Sequence, residues 1–142
     1  MEPLCQRGCP PPRQAEATWS AGEGATAGEA AAYTGVTLPA GAHDIGVAGW
    51  RQWIQAVEYV RFEAPVDVCL RYAAAVVPGV ALQPEDGGLV ELDGRPIREG
   101  VLKDFGWFDL GKAKDVVGGG DASGVRVWVD RERGVFYFRK TD

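Results

Sequence analysis

One histidine, two serines and three cysteines are all that this 142-residue chain offers to the commonest nucleophilic and metal chemistries. A single histidine, His43, cannot supply the paired or triple imidazoles of common zinc centres, so a zinc site would need cysteines or carboxylates from elsewhere. His43 and Asp44 are adjacent, and adjacent residues on a strand point to opposite faces. That predicts a strand-entry residue in contact with solvent. A serine triad would have to use Ser20, in a sparse N-terminal stretch, or Ser123, in a glycine-rich one. A thiol enzyme would have to combine Cys69 with His43 and Asp44, yet Cys69 falls on an apolar helical stripe, where cysteine behaves as a small hydrophobe. No catalytic residue, cofactor or metal is expected on these grounds.

Long hydrophobic runs are missing too. Nothing approaches the roughly 18 apolar residues of a membrane-spanning helix. MEPLCQRGCPPP lacks the apolar core of a signal peptide, so as it reads the chain is expected in the cytoplasm. Positive charge is not in excess: the net charge is −5, which argues against a nucleic-acid backbone as partner. Arg131, Arg133, Arg139 and Lys140 make the densest basic group, but Asp130, Glu132 and Asp142 interrupt it, as at the solvated end of a hairpin. Three cysteines make no disulfide framework. Cys5 and Cys9 can pair, bind metal or stay free, and neither has the apolar residue three positions upstream that usually marks a lipidation site.

What is present fits one domain with a tail. Residues 1–24 hold Pro10, Pro11 and Pro12 and then an alanine, glycine and glutamate stretch with Trp19 as its large apolar residue, too little to offset ordering entropy. They are expected to form a disordered tail or tether, with a single domain over 25–142. TAGEAAAYTG at 26–35 is a short helix: Thr26 and Glu29 have capping-box spacing, and Gly35 suits the left-handed C-terminal position. His43–Gln52 and Trp53–Glu63 alternate with period two and read as strands. After Pro65, apolar residues at Val66, Cys69, Leu70, Ala73, Val76 and Val77 mark one helix face, ended by Pro78 and Gly79.

Beyond this helix the pattern weakens. Pro84 to Gly88 reads as a loop, and LVELDGRPI as a small hairpin with Asp93-Gly94 at its tip. Phe105 to Leu110 is a short aromatic strand or bend, and Lys112 to Gly124 a mobile surface loop. The C-terminus is legible again. Val125, Val127 and Val129 share one strand face, DRERG turns the chain, and Val135 to Lys140 returns with Phe136 and Phe138 on one face. The element order predicts an α+β fold, a mostly antiparallel sheet of about four to six strands with two helices on one face.

Three features remain as candidate sites. GGGDASG at 118–124 lacks the lysine and hydroxyl residue of a phosphate-binding loop and reads as a flexible connection. Glu85, Asp86, Glu91, Asp93, Asp104, Asp109 and Asp115 supply carboxylates, which a glycosidase would need to face each other across a cleft. Trp50, Trp53, Trp107, Phe108 and Trp128 are candidates for an aromatic platform that binds sugar or peptide, set against the plainer role of completing a small core.

TAGEAAAYTGVTLPAGAHDI, VEYVRFEAPVDVCLRY and VRVWVDRERGVFYFRKTD together resemble a loose group of small, uncharacterised bacterial envelope proteins, many of them lipoproteins. The shared features are the capped helix ending in glycine, the Leu-Pro step into a strand, a strand ending in Phe-x-x-Pro before a helix, and the C-terminal hairpin. They are structural features and bring no catalytic residues. The resemblance implies an extracytoplasmic domain on an N-terminal tether, although this chain lacks the signal sequence of that pattern. The expected function is therefore that of a non-enzymatic binding domain. Its rivals are an immunity-type or inhibitor protein with an acidic surface, and a small hydrolase with a carboxylate- or cysteine-based site.

Overall fold

Alternating apolar residues build a sheet here, and two short amphipathic helices cover one side of it. The computed structural model describes residues 18–23, 26–52, 55–85 and 113–141. Among them the chain forms strand β1 (Thr18–Glu23), helix α1 (Ala27–Thr34), strands β2 (His43–Gln52) and β3 (Gln55–Glu63), helix α2 (Val66–Val76), and strands β4 (Gln83–Glu85), β5 (Val116–Gly120), β6 (Val125–Asp130) and β7 (Val135–Thr141). All seven strands join one sheet in the order β1-β2-β3-β7-β6-β5-β4. Every neighbouring pair is antiparallel. The expected α+β class is present, with one strand more than the upper end of the expected range.

Three of the strands were not expected. The predicted tail reached residue 24, but Thr18–Glu23 pairs with β2 along its whole length, from Thr18 opposite Arg51 to Glu23 opposite Gly46. An edge strand is held by backbone hydrogen bonds to its neighbour, so apolar-poor sequence does not bar it. Residues 1–17 lie outside the described residues. The predicted glycine loop contains β5, whose Val116 and Val117 are buried. Its glycines sit where neighbouring side chains fill the space a Cβ would need. A Cβ on Gly118 would lie 2.7 Å from Trp128 Cδ1, and one on Gly119 would lie 2.8 Å from Val80 Cγ1. Glycine inside a strand often marks such close approach. β4 occupies part of the predicted Pro84 loop, whereas the LVELDGRPI hairpin and the Phe105–Leu110 segment lie outside the described residues.

Helix α1 follows its capping signals. The Thr26 hydroxyl accepts from the Glu29 N–H at 3.2 Å, and the Thr26 N–H donates to Glu29 Oε1 at 2.8 Å. Gly35, at φ 79°, closes the helix by donating to the Ala31 carbonyl. Helix α2 turns its buried face slightly from the expected one. Cys69, Tyr72 and Ala73 are buried and Leu70 is only half-buried. Tyr72 takes the central place because its ring reaches the sheet edge-on against Phe62 and Phe136, while its hydroxyl donates to the Val36 carbonyl at 2.6 Å.

The helix-side core joins Ala30, Cys69, Ala73 and Val77 to Val60, Phe62, Val117, Val127, Val129, Phe136 and Phe138. The hairpin register is the one its pattern needs, with Val127 opposite Phe138 and Val129 opposite Phe136. Its turn closes through Gly134, at φ 75°, whose N–H donates to the Asp130 carbonyl at 2.9 Å. The opposite face of the sheet carries a second buried cluster of Val116, Trp128, Val135 and Tyr137.

Candidate functional site

The one described group of mixed imidazole and carboxylate donors sits where β2 begins and β3 ends. His43 pairs with Glu63, and the next pair is Gly46 with Arg61. Three steps along β2 therefore match two along β3, which is a β-bulge. Asp44 lies in it at φ 51°, in the left-handed region that aspartate tolerates better than most residues. The bulge overturns the expectation that His43 and Asp44 point apart. Their side chains meet, with Nδ1 of His43 2.8 Å from Oδ2 of Asp44. Glu63 lies across the ladder from His43, and one ligand atom from each of the three residues falls within 4.8 Å of the others.

Arg61 underpins this group. Its side chain is only 9% exposed, against 63% for His43 and 66% for Asp44. One guanidinium nitrogen donates to Glu63 Oε2 at 2.9 Å, and another to the Asp44 backbone carbonyl at 3.2 Å. A buried cation thus fixes one carboxylate and the backbone of the bulge, while His43 and Asp44 stay open to solvent. The set can accept hydrogen bonds or coordinate a cation.

The thiol combination is not assembled in this way. The Cys69 Sγ donates to the Ala64 carbonyl at 3.5 Å, while the His43 ring engages Asp44. Burial pushes the Cys69 thiol up to about 11, which outweighs the lowering effect of that hydrogen bond. Ser123 caps a turn: its hydroxyl and its N–H both donate to Asp121 Oδ1, at 2.6 and 2.9 Å.

The other candidates are placed as follows. Trp128 is 1% exposed, so it belongs to the buried second face and not to an open aromatic platform. Its Nε1 donates to Glu85 Oε1 at 3.1 Å, and the guanidinium groups of Arg126 and Arg139 lie 5.4 and 5.6 Å from its ring centroid. Trp50 lies on β2 opposite Val57, but its side chain, with Trp53, Trp107 and Phe108, falls outside the described residues. Among the carboxylates, Glu85 accepts from Arg126 at 2.6 Å and Asp115 from Arg131 at 2.7 Å. Asp86, Glu91, Asp93, Asp104 and Asp109 lie outside the described residues. The basic group at the hairpin is divided among acidic partners, with Arg131 on Asp115 and Arg133 on the buried Asp130. The metal-capable group escaped sequence reasoning because a bulge leaves little trace in residue type: Asp44, Ile45, Gly46 and Val47 keep the alternation of an uninterrupted strand. No protein-family model, curated protein or solved structure matches the chain.

Proposed function

We propose that the protein is a non-enzymatic binding domain and, from its resemblance to tethered envelope proteins, one that acts at the bacterial cell envelope. The observation that supports the non-enzymatic part is the environment of Cys69, the strongest nucleophile among the described residues. Its side chain is buried, its proton is held more tightly than in free cysteine, and its partner is a backbone carbonyl. A thiol in that setting is inert, since the thiolate is the reactive species and needs an accessible, electropositive site.

Peptide-resolved labelling of the native protein with iodoacetamide and a fluorophosphonate tests this. Cys69 and Ser123 are expected to stay unmodified while the unfolded chain is alkylated at Cys69. Rapid modification of either residue in the native state, lost on His43→Ala, would replace the reading with a hydrolase. The envelope part is tested by fractionating cells that express the protein from its own locus. Recovery only in the soluble cytoplasmic fraction would remove it.

A further inference from the structure

We propose that His43, Asp44 and Glu63 form a binding site for one divalent transition-metal ion, of which zinc is the natural probe. The inference goes beyond the binding-domain reading and does not depend on the protein's location. It rests first on convergence. Glu63 comes from β3, His43 and Asp44 from β2, and the register places His43 directly opposite Glu63. Their ligand atoms lie within 4.8 Å of one another. Donors on a shared zinc ion sit about 2.0–2.2 Å from it, so the spread must contract by roughly 1 Å, which exposed side chains achieve by small rotations.

The second ground is donor type. One imidazole nitrogen with two carboxylate oxygens suits zinc and its neighbours in the transition series, whereas calcium takes six to eight oxygens and magnesium keeps most of its waters. The third is accessibility. His43 and Asp44 are about two-thirds exposed, so water can complete the coordination sphere.

Arg61 gives the site its particular character. Its guanidinium already holds Glu63 Oε2, and it neutralises part of the negative charge that would attract a cation. Glu63 can still reach a metal through Oε1 while Oε2 stays on Arg61, since a carboxylate has two acceptor oxygens. The Arg61 bond to the Asp44 carbonyl keeps the bulge in place. Arg61 is thus a positioning residue that holds Glu63 and the bulge while lowering the net negative charge of the site.

His43 is the only histidine in the chain, so its ring resonances report on the site without assignment ambiguity. The experiment titrates zinc chloride into the full chain carrying Cys5→Ser and Cys9→Ser, because those two thiols could take zinc themselves. Binding is followed by histidine-selective NMR and by calorimetry, with magnesium chloride as the comparison. One equivalent of zinc is expected to shift the His43 signals, and magnesium is expected to leave them unmoved. Asp44→Asn and Glu63→Gln are each expected to weaken zinc binding by about tenfold or more, since a lost ligand should cost at least as much as a lost outer-shell partner. Circular dichroism melts establish that each variant is folded. His43 signals that do not respond to zinc would overturn the proposal. So would unchanged zinc affinity in both carboxylate variants, since that describes a lone imidazole contact.

Discussion

Replacing Phe136 with alanine removes the ring on which three elements meet. Phe136 lies on β7, fully buried, stacked on Phe62 of β3 at 5.0 Å and met edge-on by Tyr72 of α2 at 4.9 Å. Truncating a buried phenylalanine costs about 3–5 kcal/mol, the transfer cost and the cavity together. Each favourable ring pair adds about 0.5–1.5 kcal/mol beyond burial, so Phe136→Ala belongs near the top of that range. A domain of this size holds about 5–15 kcal/mol in all. With a urea dependence of about 1–3 kcal/mol per molar, the midpoint should fall by about 2–4 M, followed by far-UV circular dichroism. Phe136→Leu keeps most of the volume and loses the rings, so it should cost about 1–2 kcal/mol and remain measurable if the alanine variant does not fold. Wild-type midpoints with unchanged slopes in both variants would mean that the hairpin is not part of the core, and it would then have to be treated as an exposed recognition edge.

Two further outcomes follow from the same core. Gly134 and Gly79 both sit at positive φ, 75° and 78°, but a Cβ on Gly134 would lie 2.4 Å from the Ala64 carbonyl oxygen, whereas Gly79 has open space. Gly79→Ala should cost only the backbone strain of about 1–2 kcal/mol, and Gly134→Ala clearly more; equal thermal-denaturation losses would refute the close approach. Burial pushes the Cys69 thiol from 9.0 to about 11 and raises Tyr72 in the same direction. The unfolded chain releases the Cys69 proton first, so the stability it contributes is fully present below about pH 9 and is lost as the pH rises through about 11. The stability difference between wild type and Cys69→Ala should therefore narrow across that window in urea melts; parallel curves would show that the thiol is not held neutral by the fold.

The elements legible in the sequence were those whose residue pattern carries its own cause. Thr26, Glu29 and Gly35 spell out α1 because capping is local chemistry. Val127 and Val129, with Phe136 and Phe138, give the hairpin faces because alternation is local geometry. Strand β5 was not legible: Gly118 and Gly119 look like loop residues until Trp128 and Val80 are seen occupying the space a Cβ would need. Tyr72 was passed over because its polar end finds a partner 36 residues away, at the Val36 carbonyl. The His43 group was misjudged for a related reason. Strand alternation separates residues 43 and 44, and only the register shift against Arg61 and Glu63 brings them together.

The order of the strands has a kinetic consequence. β2 with β3 and β6 with β7 are hairpins of near neighbours, yet β3 pairs with β7, joining Val57–Glu63 to Val135–Thr141 across everything from residue 64 to 134. This seam lies inside the sheet, and the aromatic cluster of Phe62, Tyr72 and Phe136 forms only when it closes. Each hairpin can form early and locally, but neither buries its apolar face until the other arrives. Folding is therefore limited by a long-range encounter, in the roughly millisecond-to-second regime of non-local sheets. The entropy of that encounter depends only weakly on the length between the hairpins, about 0.6 kcal/mol for each doubling. Only stretches outside α2, β4 and β5, which pack into the core and the sheet between the hairpins, can vary in length at little thermodynamic cost, while the two hairpins must keep their faces matched.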